Sequence, residues 1–258
     1  MFDLEVSVIM PSYNSADHIS ASISSVLQQT FTDWELLIID DCSSDNTAEV
    51  VKGFLQNSRI KLIQLEKNEG AAIARNVGIE RSQGRYIAFL DSDDIWLPYK
   101  LETQLSFMKK NNVYFSYAAY KKIDEEGSFL GHVRVPDRVN YNSLLKSCVI
   151  GCLTVVYDTD FFGKIYMPKI RKRQDFGLWL KMLKRVDFAY GISEPLALYR
   201  VRVGSISHNK IIAAGYTWRL YREVEQLSLI KSIYFFSHYF VKGVVRLNFP
   251  RLAHKLNW

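Results

Sequence analysis

The chain predicts an α/β fold: a mixed, largely parallel sheet flanked by helices, followed by a C-terminal amphipathic helical extension. Three observations predict it. Strand-like and helix-like segments alternate four times within the first 98 residues, the pattern that builds a parallel sheet through right-handed crossovers. The strand-like runs are almost continuously apolar, as strands covered on both faces are. Turn residues and carboxylates follow three of them, at Pro11 to Tyr13, Asp40-Asp41 and Asp91 to Asp93, where open α/β sheets bind their ligands.

The elements follow in order. Residues 5–11, with Val6, Val8, Ile9 and Met10, read as the first strand, and 12–15 turn the chain. Ile19, Ile23, Val26 and Leu27 recur at helical spacing and predict a crossover helix over 17–29. A second strand over 34–40 ends in Asp40 and Asp41, with turn residues at 42–46. A helix over 47–55, a short strand over 60–64 and a helix over 71–81, opened by Glu69-Gly70, come next. Gly84 releases the chain into a strand over 85–90, whose Tyr86, Ile87, Phe89 and Leu90 are strand formers in a run too short for an independent helix. After Pro98 a helix over 100–110 runs through Leu101, Leu105 and Met108, a strand covers 113–120, and a turn at 125–128 leads into another. Residues 121–141 are polar and aperiodic and suit a loop or hairpin. The stretch 148–157 is apolar and β-rich, with Gly151 allowing a close backbone approach. Phe176, Trp179, Leu180 and Leu183 mark an amphipathic helix that begins at Asp175.

With 258 residues and 48% hydrophobic content the chain can bury a full core. Cys42, Cys148 and Cys152 are too few and too uneven for a disulfide framework or a four-cysteine zinc site, and the C-x-x-x-C spacing of the last two points to buried thiols. The first residues lack the basic start of a signal peptide, and no apolar span reaches the roughly 18 residues of a membrane helix. A cytoplasmic or peripheral location is the expectation. The net charge of +6 is concentrated: from Gln226 to Trp258 there is no Asp or Glu, against Lys231, Lys242, Arg246, Arg251 and Lys255. Ile233, Phe236, Phe240, Val244 and Leu247 recur at helical intervals over 229–247, with Lys231, His238, Lys242 and Arg246 on another side. Such a helix, with Pro250 and Trp258 beyond it, suits an anionic membrane surface; the alternative is a helix packed on the domain or on a partner with its basic side solvated. No nucleic-acid partner is expected, because the tail carries no reader motif and a carboxylate-rich crevice without metal repels phosphate.

Asp91 and Asp93, two apart on an irregular turn, can converge on one hard divalent cation, Mn²⁺ or Mg²⁺, bridging phosphates. The alternative is that Asp91 opens a turn and Asp94 caps the helix that follows. No Gly-x-Gly-x-x-Gly follows the first strand and no Gly-Lys-Ser/Thr loop occurs anywhere, which disfavours a dinucleotide-binding enzyme or a P-loop NTPase.

Val8-Ile9-Met10-Pro11-Ser12-Tyr13-Asn14, Ile38-Ile39-Asp40-Asp41-Cys42-Ser43-Ser44-Asp45, Ala74-Arg75-Asn76 and Phe89-Leu90-Asp91-Ser92-Asp93-Asp94 resemble, in order, the motifs of family 2 inverting glycosyltransferases. The resemblance runs from Val6 to about Ser205. It implies a Rossmann-like GT-A fold over 1–225, with a nucleotide-sugar-binding half (1–98) and an acceptor-binding half (99–225); the basic helical tail (226–258), read from its charge and periodicity, follows it. The resemblance also implies a nucleotide-sugar donor, a UDP-sugar by preference. By resemblance Pro11, Tyr13 and Asp41 hold uracil and ribose: Tyr13 can stack on the base and Asp41 can accept its imide N–H. Asn14 and Ser92 belong to the same donor site, Asp40 supports its loop, and Arg75 and Asn76 lie near base or phosphate. Asp91 approaches the ribose, while Asp93, with Asp91 beside it, holds the cation. On chemistry alone Tyr13 could simply pack, and Arg75 could pair with Glu69 or Glu80 on a helix surface.

The stretch Arg171-Lys172-Arg173-Gln174-Asp175 resembles the family's late acidic motif, with Gln174 where a Glu is common. It implies Asp175 as the general base that deprotonates the acceptor; as a bare residue, Asp175 could merely cap its helix. Tyr199-Arg200-Val201-Arg202 resembles the family's terminal loop, with Arg202 in place of the usual His. Arg200, Arg202 and Lys210 can contact the donor phosphates or stand in a solvated basic loop. The function implied is transfer of a sugar with inversion, from an α-linked donor to a β-linked product, on a lipid-linked saccharide of a bacterial surface polysaccharide such as O-antigen, at the inner face of the cytoplasmic membrane. The alternatives are a metal-dependent nucleotidyltransferase and a non-catalytic sugar-nucleotide-binding scaffold at the membrane.

Overall fold

The computed structural model describes residues 4–202 and 210–248; the side chains of 210, 211 and 246–248 are not among those described. Strands Leu4–Ser12 (β1), Trp34–Asp40 (β2), Ile60–Gln64 (β3) and Gly84–Phe89 (β4) alternate with helices Ile19–Leu27 (α1), Thr47–Lys52 (α2) and Ala71–Arg81 (α3). These strands pair in parallel in the order β3-β2-β1-β4. The alternation of side chains sends Val6, Val8, Met10, Tyr86, Ala88 and Leu90 into one core and Ile9, Leu37, Ile39, Ile87 and Phe89 into the other. Both faces are dry, which is why the strands carry so few polar residues.

The second half extends the same sheet. Its elements are Ile95–Trp96 (β5), Lys100–Asn111 (α4), Phe115–Ile123 (β6), Phe129–Val133 (β7), Arg138–Val139 (β8), Tyr141–Lys146 (α5), Val156–Asp158 (β9), Thr159–Phe162 (α6), Gln174–Leu183 (α7), Ala189–Arg200 (β10), Lys210–Arg219 (α8) and Leu229–Asn248 (α9). The full order is β3-β2-β1-β4-β9-β6-β10-β5, with β7 on β6 and β8 on β10. The polar stretch after β6 is the hairpin β6–β7, as its composition suggested.

Two segments differ from expectation. The apolar run at 148–157 is extended only over β9; before it lies a 3₁₀ turn at Cys152–Thr154. Ile150, Leu153 and Val155 are apolar because they are buried, and a Cβ on Gly151 would lie 2.9 Å from the Tyr120 ring, so the backbone there packs against an aromatic face. Conversely, β10 is a 12-residue strand where the sequence offered Gly191 and Pro195, both strand-weakening residues. Register shifts on either side of Pro195 let it stay paired with β6.

Helix α9 packs on the domain and still presents apolar side chains outward. Phe235 enters the core, Phe236 meets Trp218 with ring centroids 5.4 Å apart, and the Tyr239 hydroxyl accepts from Arg173 at 2.7 Å. Ile230, Ile233, Phe240 and Val241 are exposed. The single apolar face expected for the tail is therefore split: Phe236 faces in, Ile233 and Phe240 face out.

Lys100, at the start of α4, is fully buried, with its ammonium 4.1 Å from the Trp96 ring centroid and no hydrogen-bond partner among the described residues. Burial pulls its pKa well below the ordinary lysine value. The folded state holds that proton less tightly than the unfolded chain does, so stability falls as pH drops from the unfolded lysine pKa towards the folded one. Lys100→Met is expected to gain about 1–2 kcal/mol at pH 7, or roughly 2–8 °C in Tm. The gain should shrink towards pH 10. Calorimetry of both proteins at the two pH values checks it, and a variant less stable at both refutes it.

Candidate active site

The strand register sets Ser12 beside Asp40 and Ile9 beside Phe89, so the segments leaving β1, β2 and β4 emerge side by side. They border a cleft of about 730 Å³ lined by Pro11, Tyr13, Asp41, Arg75, Asp91, Ser92, Asp93, Asp175, Arg200 and Arg202, among others. Tyr13 is half exposed at its rim, with a ring face available for stacking.

Each acid is placed by a specific local device. The Asp41 carboxylate accepts from the backbone N–H groups of Glu69 and Gly70, both at 2.8 Å. It thereby fixes the start of α3, whose cap residue Gly70 has φ +90°. Further along α3, a Cβ on Gly78 would sit 2.4 Å from Ile9 and 2.9 Å from Ile39, so the helix lies directly on β1 and β2. That close approach puts Arg75, buried, under Asp91, and the two form an ion pair. Burial opposes the Arg75 charge, but Asp91 and, further off, Asp175 push its pKa above the ordinary arginine value. Neither Glu69, which meets Lys67, nor Glu80, which receives Tyr166, is its partner.

The turn after β4 is stapled from both sides. Asp94 N donates to Asp91 O at 3.1 Å, Ser92 Oγ meets Ser15 Oγ at 2.8 Å, and Asp94 Oδ1 accepts from Arg200 N at 2.9 Å. Asp94 is thus a buried brace between β4 and the end of β10, and burial together with Asp93 and Asp91 raises its pKa well above the usual carboxylate value. Asp93 is pushed up as well, by burial and then by Asp91, with Arg202 opposing; Arg202 Nη1 lies 3.6 Å from Asp93 Oδ2. Opposite them, Asp175 occupies the first turn of α7. Trp179 seats that helix on the sheet, with ring centroids 5.9 Å from Phe89 and 5.5 Å from Phe115. Arg173 precedes the helix at φ 65°, a left-handed conformation uncommon for a side chain of this size.

Several expected site residues are committed elsewhere. Asn76 clamps the backbone of Met167, donating to its carbonyl at 3.0 Å and accepting from its N–H at 2.8 Å; it ties α3 to the chain before α7 and does not line the cleft. Asn14 accepts from Ser44 N at 2.9 Å and holds two loops together. Asp40 is buried, accepts from Ser43 and Gln64, and supports its loop without facing the cleft. Arg200 borders the cleft, but its Nε and Nη1 donate to the carbonyls of Asp93, Asp124 and Glu125, which makes it an anchor of the strand end. The Lys210 side chain lies outside the described residues. Cys148 and Cys152 are half-buried rather than buried; Cys152 borders the cleft, and burial pushes its thiol pKa well up.

Sequence reasoning missed Asn68 and Cys152 in the lining and gave Tyr199 no role of its own. Asn68 had a signal, its position just before the start of α3, and its amide reaches Asp41 O at 3.3 Å. Cys152 arrives through the 3₁₀ turn, which no local pattern announces, whereas Tyr199 comes with the Tyr-Arg-Val-Arg motif at the end of β10.

The donor set fits a hard divalent cation. Asp91 and Asp93 are one-third and about one-quarter exposed at the cleft (33% and 28% of their side chains), and a bound cation would offset the burial and the Asp91 charge that raise the Asp93 pKa. Among the described residues no cluster of three or more His, Cys, Asp or Glu could complete a protein cage. Two carboxylates plus phosphate oxygens and water is the usual way such an ion is held in nucleotide sites.

The sequence profile of glycosyl transferase family 2 matches residues 7–167. A putative teichuronic acid biosynthesis glycosyltransferase of Bacillus subtilis strain 168, TuaG, is 46% identical over 236 residues, covering 91% of this chain and 94% of its own. The UDP-Glc:alpha-D-GlcNAc-diphosphoundecaprenol beta-1,3-glucosyltransferase WfgD of Escherichia coli is 45% identical over 245 residues, 95% of both chains. In structure, residues 1–349 of S. aureus TarS in complex with UDP superpose with a TM-score of 0.71 at 21% identity, over 95% of this chain and 74% of that one.

Proposed function

The chain belongs to glycosyl transferase family 2, and we propose that it moves a sugar from a UDP-sugar to a hydroxyl of a lipid-linked saccharide, with inversion, in bacterial surface polysaccharide synthesis. That it is a glycosyltransferase follows from the family and from relatives at 45–46% identity across nearly the whole chain. The finer reading is supported by one arrangement: Asp91, Asp93 and Arg202 line a single cleft together with Asp175, which arrives on a different element. UDP-glucose and a diphosphoundecaprenol-linked acceptor, which the name of WfgD prints, are the first substrates to try.

In this reading Tyr13 stacks on the uracil, and Asp41, whose carboxylate keeps lone pairs beyond its two backbone bonds, receives the base N–H. Arg75 holds Asp91 in position against the ribose. Asp93, with Asp91 beside it, would hold a divalent cation, which when bound neutralises charge growing on the leaving diphosphate. Asp175 takes the proton of the acceptor hydroxyl as that oxygen attacks the anomeric carbon from the face opposite the diphosphate. A single displacement converts an α-linked donor into a β-linked product.

The acceptor's lipid is consistent with the outward side of α9. Ile230, Ile233, Phe240 and Val241 lie exposed there with Lys231, in a segment free of acids from Gln226 onward, the composition of a helix lying in an anionic lipid surface. Among the described residues no helix is long and apolar enough to cross a membrane, so attachment is read as peripheral, at the cytoplasmic face.

The experiment is a screen of nucleotide sugars with a synthetic lipid-diphosphate-linked acceptor, on anionic vesicles. UDP release and a β-linked product are expected, with the protein floating alongside the vesicles. Pyrophosphate in place of UDP would indicate nucleotidyl transfer, and protein left behind by vesicles rich in anionic lipid removes the membrane part.

A further inference from the structure

Two carboxylates of the cleft are each met by an arginine, and the two arginines are held very differently. Arg75 is buried beneath Asp91, its side chain only 7% exposed. Arg202 stands at the mouth with 37% of its side chain exposed, and its Nη1 is 3.6 Å from Asp93 Oδ2, an ion-pair distance too long for a hydrogen bond. The backbone near it is nevertheless anchored. Two residues earlier, Arg200 N donates to Asp94 at 2.9 Å, Arg200 Nε to Asp93 O at 3.0 Å, and Arg200 Nη1 to the carbonyls of Asp124 and Glu125 at 3.0 and 2.7 Å. A long side chain on a fixed base, joined at its tip by a loose and partly solvated pair, can change partner at little cost.

We propose that Arg202 is an exchangeable counter-ion of Asp93: it covers that carboxylate in the free protein and transfers to the donor diphosphate when Asp93 takes a divalent cation. The inference rests on the reading of Asp93 as the cation ligand. A guanidinium beside the ligand oxygen competes for its lone pairs and repels a second positive charge. The same guanidinium offers paired N–H donors to phosphate oxygens. Arg202 therefore acts with opposite sign on the two ligands, against the cation alone and in favour of cation plus nucleoside diphosphate. Loading is biased accordingly: free cation binds poorly and the cation–nucleotide complex binds well, so the site is not filled by metal without donor.

Direct binding on the full chain tests this without turnover. Mn²⁺ binding is measured by electron paramagnetic resonance of the free ion, alone, and UDP binding by calorimetry in saturating Mn²⁺, for wild type, Arg202→Gln and Asp93→Asn. Arg202→Gln is expected to tighten Mn²⁺ alone by about two- to fivefold and to weaken UDP by about tenfold. Asp93→Asn is expected to abolish Mn²⁺ binding. Unchanged or weaker Mn²⁺ binding in Arg202→Gln, with Asp93→Asn still inactive for Mn²⁺, overturns the counter-ion role and leaves the cation site standing. Mn²⁺ binding by Asp93→Asn as tight as wild type overturns both.

Discussion

Asp175→Asn is expected to lower kcat by about 10²–10⁴-fold, the range a positioned general base supplies, while UDP affinity stays close to wild type. Asparagine keeps the shape and the hydrogen-bonding capacity of the first turn of α7, so the helix, held by Trp179 on Phe89 and Phe115, has no reason to move. What is lost is the basic oxygen proposed to take the acceptor's proton. Asp175 lines the same cleft as Asp91 and Asp93 but belongs to the other half of the chain, so the donor contacts proposed for Tyr13 and Asp41 are untouched. Steady-state kinetics for both substrates and calorimetry with UDP make the comparison. Turnover within tenfold of wild type would take the proton-transfer role away from Asp175; loss of UDP affinity in parallel with kcat would make it a donor-site residue.

The second large effect is at Arg75. Arg75→Met keeps the bulk of the buried stem and removes the charge that faces Asp91. Asp91 is one-third exposed and regains some water, so the expected loss is about 2 kcal/mol, below the 3–5 kcal/mol of a fully enclosed pair, or roughly 4–8 °C in Tm. UDP affinity should fall by at least about tenfold, because Asp91, proposed to meet the ribose, is no longer held in place. A cycle with Asp91→Asn separates the contributions: the double variant should be more stable than additivity predicts by about 1 kcal/mol or more. Strict additivity would mean that the pair contributes nothing, and unchanged UDP affinity would reduce Arg75 to a structural role.

How far the sequence could be read depended on distance along the chain. The strands β1, β2 and β4 and their acidic ends were legible because a near-continuously apolar, doubly buried strand and the turn behind it are written in consecutive residues. Asp91, Asp93 and Asp41 reach the cleft for that reason. Asp40 supports its own loop through Ser43, while Asn14 and Asn76 sit in equally suggestive motifs, yet their polar atoms are spent on Ser44 and Met167. In the last case the partner is 91 residues away, which no local pattern reports. β10 was hidden by Gly191 and Pro195, whose preference for loops is overridden by pairing with β6 and by bulges that absorb the proline.

By itself the sequence determined the parallel half-sheet, the position of its ligand-binding edge, the acids delivered there, and a helix after Asp175. Only the tertiary structure decided which of those acids is free to meet a ligand, that Arg75 and Arg202 each stand against a different carboxylate, and that α9 turns Phe236 inward while leaving Ile233 and Phe240 outside. Periodicity says that a helix or strand has apolar faces, since that follows from backbone geometry alone. Which neighbour covers a face, and which donor claims a carboxylate, depends on groups that folding brings together from far along the chain.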